Sequence, residues 1–263
     1  MKVTFVDFGA DIASSRLRAS IPQRELGKLG IGFGKDVLIY GKHFVKESQL
    51  FSFAKRVFDV CDDHFNNPEL SDYYKRHVEI ADAVTCNSEV MKERIKSETG
   101  RDATVISEPY EGEEKEPDIG PLLYWFGHRS NRYDIERLAP SLKYPLKALS
   151  NYPGYGEWTP ENHKEALEAP CIVVIPTGKS MAKSENRMVE AIRSGRYVCA
   201  EHLPSYEKFS QFMPLGDIPS HIEKALENED KSLKAISEAQ EFIRDRYSPK
   251  TVAKQWLALL NSL

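Results

Sequence analysis

The chain has 263 residues, of which 41% are hydrophobic, 10% aromatic and 29% charged, and its formal net charge is −4. This is the composition of a folded protein with a buried core, and 36 basic against 40 acidic residues give no overall attraction to DNA, RNA or an anionic membrane. The chain starts with a strand-like run rather than a secretory signal, and no apolar run approaches the ~20 residues that span a bilayer. We therefore expect a cytoplasmic protein with no transmembrane segment and no nucleic-acid partner; peripheral contact with a membrane stays open.

The four cysteines are widely spaced, and each lies in or beside an apolar strand-like run. Neither the C-x-x-C spacing nor a cluster of cysteine and histidine is present. The pattern predicts small buried thiols rather than a zinc site or a disulfide framework.

The first half of the chain alternates short β-branched runs with helix-length amphipathic stretches, which is the pattern of a parallel sheet covered by helices. The predicted strands are Val3–Val6, Val37–Tyr40, Val57–Val60, Ala83–Cys86 and Thr104–Ile106. The predicted helices are Ile21–Leu29, Asp72–Ile80 and Glu89–Glu98. Together they predict one Rossmann-like domain over residues 1–110.

An acidic stretch with Pro and Gly, Glu108–Pro121, has no apolar periodicity and predicts a linker. The strand and helix alternation then resumes and predicts a second domain of the same kind over residues 121–246. Its predicted strands are Leu122–Phe126, Leu146–Leu149, Ile172–Ile175 and Tyr197–Ala200. Its predicted helices are Tyr133–Leu138, Glu161–Glu168 and Asn186–Ser194, followed by helix upon helix at Ser220–Glu227 and Lys231–Tyr247. A last helix, Pro249–Leu263, lies in a separate C-terminal segment, residues 247–263.

The loop and helix after the strand Ile172–Ile175 combine two cations with a helix start. If Ser184 caps this helix, the first turn offers free N–H groups and the positive end of the helix dipole, with Lys183 and Arg187 beside it. Asn186 and Glu190 are four residues apart, so they project from one face, where a carboxylate could accept hydrogen bonds from a ribose diol. The pattern fits a nucleoside diphosphate, and it also fits a solvated, charged helix start.

A second candidate site follows the strand Leu122–Phe126. Gly127 would let a ligand approach the backbone, and the polar residues His128 and Asn131 come directly after it. The alternative is a simple strand-to-helix turn in which Ser130 or Asn131 caps the helix.

In the first domain, Arg16 and Arg18 follow the first strand, at the sheet edge where ligands usually bind. They could bind an anion, or they could be structural or solvated arginines. Asp63 and His64 end the third strand on the same edge and are candidates for acid and base groups. A metal site that includes Asp62 is the rival interpretation of that cluster.

Taken together, these motifs resemble those of glycosyltransferases with the GT-B fold, in the group related to glycogen and sucrose synthases. The segment from Lys183 to Gly195 carries the most specific part of the resemblance, and weaker similarities cover nearly the whole chain. The resemblance implies an α/β protein of two Rossmann-like domains facing a cleft, with C-terminal helices of which the last crosses back to the first domain.

The resemblance also implies transfer of a hexose-type unit from a nucleoside diphosphate sugar to a hydroxyl of a glycan, lipid-linked or other acceptor. It implies no cofactor and no metal, because basic side chains and a helix end would neutralise the leaving diphosphate. Glu190 would contact the ribose, Lys183 and Arg187 the phosphates, and Asp63 or His64 the acceptor hydroxyl. The implied donor site consists of Gly127, His128, Asn131, Thr177, Lys183, Ser184, Asn186, Arg187 and Glu190.

One position departs from the family. Retaining enzymes usually carry a glutamate eight residues before the one that corresponds to Glu190, and this chain has Ala182 there. Lys183 or Glu185 could take over the sugar contacts, and both a retaining and an inverting outcome stay open. A non-catalytic nucleotide-sugar sensor or partner subunit is an alternative function, and a sugar-nucleotide epimerase is a further one.

Overall fold

The computed structural model describes residues 1–7, 9, 12–42, 45–178 and 181–263. Within these ranges the chain divides into two compact units. The first unit contains Met1–Tyr110, Ala182–Ser184 and Asp245–Leu263, and the second contains Glu111–Met181 and Glu185–Arg244.

The first unit is built on a parallel sheet that has six strands among the described residues. The strands are β1 (Lys2–Phe5), β2 (Gly32–Phe33), β3 (Val37–Tyr40), β4 (Lys55–Val60), β5 (Ala83–Cys86) and β6 (Thr104–Val105), in the order β2-β1-β3-β4-β5-β6. Strand β3 is buried at every position because helices cover both faces of the sheet.

Alternate residues of one strand enter different cores, as the two-residue period of a strand requires. Leu38 and Tyr40 join a core with Phe58 and Tyr74, whereas Val37 and Ile39 join a core on the other face. The helices of this part of the chain are α1 (Ala13–Ser15), which continues through a π-helical segment (Arg16–Ser20) into α2 (Ile21–Lys28), then α3 (Glu47–Leu50), α4 (Ser71–Ile80) and α5 (Glu89–Thr99).

The second unit is built on a parallel sheet with five strands in its described part. The strands are β7 (Leu122–Phe126), β8 (Leu146–Ser150), β9 (Gly156–Glu157), β10 (Cys171–Ile175) and β11 (Tyr197–Ala200), in the order β11-β10-β7-β8-β9. Strand β10 is an unbroken apolar run with all five residues buried. The helices are α6 (Arg132–Leu138), α7 (Pro160–Ala166), α8 (Asn186–Arg193), α9 (Ile218–Glu227) and α10 (Glu229–Tyr247), with 3₁₀ turns at Arg129–Asn131, Ala139–Ser141 and Pro204–Phe209.

The last helix, α11 (Pro249–Asn261), belongs to the first unit and packs against α2. It begins at the Ser248 cap, whose hydroxyl accepts a hydrogen bond from the amide of Thr251. Trp256 is fully buried and meets Phe5 edge to face, with 5.3 Å between the ring centroids. The helix therefore completes one of the two cores of the first sheet.

Most of the acidic stretch that the sequence predicts as a linker belongs to the second unit and packs there. Glu114 pairs with Arg193 and with Arg244, and the backbone N–H of Asp118 donates to the carbonyl of Gly195 at 2.9 Å. A Cβ on Gly195, whose φ is 73°, would overlap the carbonyl oxygen of Glu116. Glycine at this position lets the acidic stretch lie directly on the end of α8.

The α/β class with two parallel sheets is confirmed, and the predicted strands and long helices are present within a few residues of their expected bounds. The two-residue edge strands β2 and β9 are additions that the sequence pattern did not predict. In the described ranges of the chain, no helix is both long enough and apolar enough to cross a membrane.

Candidate functional site

A chain of hydrogen bonds in the second unit leads from the core to Glu190. The hydroxyl of Tyr124 lies 2.6 Å from Nδ1 of His163, and Nε2 of the same ring lies 2.9 Å from Oε1 of Glu190. Tyr124 is fully buried, His163 is 6% exposed, and the side chain of Glu190 is 34% exposed. This series of hydrogen bonds thus ends at the Glu190 carboxylate, which a ligand can reach.

The proton positions along this chain follow from the chemistry of the groups. An ionised carboxylate only accepts hydrogen bonds, so Nε2 of His163 carries the proton that it donates to Glu190. Burial raises the pKa of the Tyr124 phenol, which therefore keeps its proton and can donate it to Nδ1. The imidazole is held in place by ring contacts with Phe126 at 4.4 Å and Trp158 at 5.9 Å between centroids.

This group lies at the carboxyl edge of the second sheet, because Phe126 is the last residue of β7 and α8 follows β10. Arg187, one turn before Glu190 on α8, is half-buried and directs Nη1 toward the carbonyl of Phe126 at 3.5 Å. That distance is long for an N–H···O hydrogen bond, so most of the donor capacity of the guanidinium is not used by this contact. Arg187 and Glu190 both lie on α8 at this edge of the sheet, and their contacts with a donor stay predictions.

The prediction that Ser184 caps α8 is wrong. The residue before the first helical residue, Asn186, is Glu185, and no side chain caps the helix. Glu185 is 4% exposed, and its Oε1 accepts from Nζ of Lys208 at 2.6 Å. α8 thus begins one residue later than a Ser184 cap requires, and its first turn presents backbone N–H groups without a side-chain cap.

Lys183 and Ser184 are half-buried and belong to the first unit, whereas Asn186 and Arg187 belong to the second. A shared role of Lys183 and Arg187 at one diphosphate stays a prediction. Ala182, which stands where retaining enzymes carry a glutamate, is 6% exposed and packs in a core cluster of the first unit.

The loop after β7 forms a short 3₁₀ turn before α6, and its polar groups are partly committed; donor contacts by Gly127, His128 and Asn131 stay predictions. Nδ1 of His128 accepts from the amide of Ser130 at 3.3 Å and so caps the short 3₁₀ turn. Asn131 stands at the cap position of α6, where its side chain makes no capping hydrogen bond. The carbonyl of His128 also accepts from the amide of Asn131 at 2.9 Å. A Cβ on Gly127 would lie 3.0 Å from the indole of Trp125. Packing against Trp125 therefore explains a glycine at this position, as close approach of a ligand also would.

Thr177, in the loop after β10, is tied to Glu201 at the end of β11. The amide and the hydroxyl of Thr177 both lie within hydrogen-bond distance of one Glu201 oxygen, at 2.9 and 3.2 Å. Arg137 on α6 donates to both oxygens of the same carboxylate. Thr177 thus shapes the loop, and direct donor contact by its hydroxyl stays a prediction.

In the first unit, Asp63 and His64 differ in their surroundings. Asp63 pairs with Arg94 at 3.2 Å and accepts from the amide of Phe65, so its carboxylate anchors the loop. His64 packs edge to face on Tyr74 at 5.0 Å, and burial lowers the pKa of its imidazole, which is therefore neutral at pH 7. The neutral imidazole of His64 can accept a proton, whereas the Asp63 carboxylate is committed to Arg94 and the Phe65 amide.

The metal alternative at this loop finds no support in the side-chain partners. Asp62 pairs with Lys42 at 2.7 Å, and Asp63 pairs with Arg94, so the two carboxylates serve different cations. Over the part of the chain that the structure describes, no three His, Cys, Asp or Glu side chains gather as metal ligands.

Arg18 is a buried structural residue and is not placed to bind a phosphate. It is 4% exposed, pairs with Asp59 through two nitrogens, and donates to the carbonyl of Ile106. Its guanidinium also lies 5.5 Å from the ring centroid of Trp256. Arg16, two residues earlier, is half-buried at the start of the π-helical segment, and its anion-binding role stays a prediction.

Comparisons with known proteins bear on the fold. No protein-family model and no curated protein matches the sequence. Among solved structures, a TarM mutant from S. aureus in complex with fondaparinux, alpha-GlcNAc-glycerol and UDP aligns with a TM-score of 0.62 at 16% identity, over 86% of this chain and 55% of that one. This chain thus spans about half the length of that structure and of a second TarM structure, 54% of which is covered.

Two further structures align over more of their own length. HepE from Anabaena, in complex with UDP-glucose, aligns with a TM-score of 0.62 at 14% identity over 100% of both chains. Sucrose-phosphate synthase from Thermosynechococcus elongatus aligns with a TM-score of 0.64 at 13% identity, over 95% of this chain and 78% of that one. At such identities the likeness establishes the fold: this chain has the GT-B fold of these glycosyltransferases.

Proposed function

We propose that this protein is a glycosyltransferase that moves a sugar from a nucleoside diphosphate sugar to a hydroxyl group of an acceptor. The observation that carries the proposal is the carboxylate of Glu190, held by His163 at the carboxyl edge of the second sheet of a GT-B fold. A carboxylate fixed at one oxygen can accept from a ribose diol with the other, and Arg187 on the same helix supplies a charge for the phosphates.

The chemistry that this site supports is departure of a nucleoside diphosphate. Negative charge grows on the leaving diphosphate as the bond to the sugar breaks, and an oxocarbenium-like sugar forms. Backbone N–H groups in the first turn of α8 and the guanidinium of Arg187 would stabilise that charge, because the helix start and the cation belong to the same helix. A role of Lys183 at the phosphates stays a prediction. No metal or cofactor has a role in this proposal.

His64 is the proposed base for the acceptor hydroxyl. Its neutral imidazole can accept the proton that the hydroxyl loses as it attacks the sugar. Asp63 supports the same loop through Arg94 rather than taking the proton itself. The acceptor class, a glycan, a lipid-linked sugar or another hydroxyl compound, and the cytoplasmic location stay predictions.

Calorimetric titration with UDP, GDP and ADP tests the donor site. We expect one of these nucleotides to bind wild-type protein, and Glu190→Gln to weaken that binding by about tenfold, because an amide is a poorer acceptor than a carboxylate. Glu238→Gln, which changes an exposed carboxylate on α10 that pairs with Lys234, is the matched control and should bind like wild type. Equal affinity of Glu190→Gln and wild type, or no binding of any nucleotide, would contradict the proposal.

A non-catalytic nucleotide-sugar sensor is the second candidate, and the burial of Ala182 favours it. This position offers no side-chain contact to a donor sugar where retaining enzymes carry a glutamate. Long incubation with UDP-, GDP- and ADP-sugars separates the two functions. Slow release of nucleoside diphosphate supports the transferase, whereas tight binding without any release supports the sensor.

A further inference from the structure

We propose that His163 is the positioning residue for ribose recognition: its Nε2–H holds one oxygen of Glu190 so that the other oxygen faces the ribose diol of the bound nucleotide. The inference rests on the proposed function, because it assigns a ligand group to Glu190. It adds two residues, His163 and Tyr124, that no motif in the sequence indicates.

The first support is the gradient of burial along the three side chains. Tyr124 is fully buried, His163 is 6% exposed, and the Glu190 side chain is 34% exposed. The two inner groups are satisfied by each other, at 2.6 Å, and the outer carboxylate receives a hydrogen bond at 2.9 Å from the inner side. Of these three hydrogen-bonded side chains, only Glu190 is therefore accessible to a ligand, and the other two lie inside the protein.

The second support is that the imidazole cannot easily release Glu190. A ring flip would place Cε1 and Cδ2 where the nitrogens now stand, and both the Tyr124 hydroxyl and the Glu190 carboxylate would lose their partner. Contacts with Phe126 and Trp158 fix the plane of the ring. The carboxylate is thus oriented before a ligand arrives, which lowers the entropy that binding costs.

The third support distinguishes a ribose hydroxyl from a phosphate as the ligand of Glu190. An ionised carboxylate repels a phosphate and accepts hydrogen bonds from hydroxyl groups. The cation on the same helix, Arg187, lies one turn closer to the helix start, where anions are stabilised. Helix α8 therefore separates the two parts of a nucleotide, with phosphate toward its first turn and ribose toward Glu190.

The test compares two substitutions of His163 by amide residues, whose side chains place the amide nitrogen at different distances from the backbone. In His163→Gln the amide nitrogen can occupy the place of Nε2 and donate to Glu190, whereas in His163→Asn it can occupy only the place of Nδ1. Each variant is titrated with UDP, ADP and GDP and with their 2′-deoxy counterparts, and the readout is the ratio of the two dissociation constants. A loss of structure alone would weaken both ligands and leave the ratio unchanged.

We expect wild-type protein to bind the ribonucleotide at least about tenfold more tightly than the deoxynucleotide, as a hydrogen bond to a charged group allows. We expect His163→Gln to keep most of this preference and His163→Asn to lose it, with a ratio within about twofold of one. His77→Asn is the matched control: His77 is also buried and bonds a tyrosine hydroxyl through Nδ1, at 3.1 Å from Tyr40, but it lies in a core of the first unit. It should keep the wild-type ratio.

A wild-type ratio in folded His163→Asn overturns the inference while leaving the proposed function intact. No binding of any of these nucleotides to wild type overturns the proposed function and this inference with it. If His163→Asn does not fold, Tyr124→Phe replaces it, because this change removes the partner of Nδ1 and keeps the ring packing. Its ratio should fall by about threefold, and an unchanged ratio overturns the inference.

Discussion

Arg18 and Asp59 form a buried bidentate ion pair inside the first unit. Nε of Arg18 donates to one carboxylate oxygen of Asp59 at 2.9 Å, and Nη2 donates to the other at 2.5 Å. The hydroxyl of Thr85 also donates to Asp59 at 2.7 Å, and Arg18 reaches the carbonyl of Ile106 beyond β6. The pair therefore ties the segment after β1 to the ends of three other strands.

Removing one partner of this pair should destabilise the protein strongly. We expect Arg18→Ala to lower the free energy of unfolding by about 3–5 kcal/mol, because it leaves the Asp59 carboxylate buried without its cation. The double variant Arg18→Met with Asp59→Leu should recover part of that loss, since neither charge of the pair is left in the core. Urea unfolding measures both. Arg76→Ala, which removes an exposed arginine, should change stability by less than about 0.5 kcal/mol.

Arg187→Ala should weaken binding of a nucleoside diphosphate by about tenfold or more, since a charge-assisted contact with phosphate is lost. The corresponding nucleoside, which has no phosphate, should bind the variant and wild type equally. Calorimetry with both ligands checks the prediction. Arg76→Ala serves again as the control, and a loss of nucleoside binding equal to the loss of diphosphate binding would show that Arg187 acts on the fold.

The pH dependence of transfer should report on His64. The neutral imidazole is the active form, so kcat/KM falls when His64 gains a proton as the pH is lowered. Because burial lowers the pKa of His64 from its ordinary 6.5, this fall should lie below pH 6.5. His64→Ala should transfer sugar about 10²- to 10⁴-fold more slowly and lose this limb of the profile, with unchanged nucleotide affinity. His202→Ala, which changes an exposed histidine that pairs with Glu207, is the control.

Gly195 and Gly27 should respond in opposite directions to the same substitution. At Gly195 an alanine would need a φ of 73° and would meet the Glu116 carbonyl, so we expect a loss of at least about 2 kcal/mol of stability. At Gly27, in α2, nothing described lies within 4 Å of an added Cβ, and alanine should stabilise the helix by about 0.5–1 kcal/mol. Thermal unfolding of both variants tests the pair, and a tolerated Gly195→Ala would contradict the packing of the acidic stretch on α8.

The sheets could be predicted from the sequence because their strands are buried on both faces. Val37–Tyr40 and Cys171–Ile175 are continuous apolar runs that have no place other than the interior. The edge strand Gly156–Glu157 could not be predicted, since its residues are exposed and carry no apolar signal. It exists because β8 offers it a backbone partner.

The candidate site was predictable only in its local part. Glu190 and Arg187 are neighbours on one helix, and helical spacing places them together. The start of α8 could not be predicted, because Glu185 turns toward Lys208, 23 residues further along the chain. His163 lies 39 residues from its tyrosine partner and 27 from Glu190, so no short motif contains this group.

The last helix has a consequence for how the protein is made. Trp256 and its neighbours on α11 cover one face of the first sheet, yet they are synthesised after the whole of the second unit. While the ribosome adds residues 111–244, Phe5 and Val57 lack the apolar contacts that Trp256 and the aliphatic side chains of α11 later make with that face. All residues of the second unit are therefore available for its core before the first unit has its last helix.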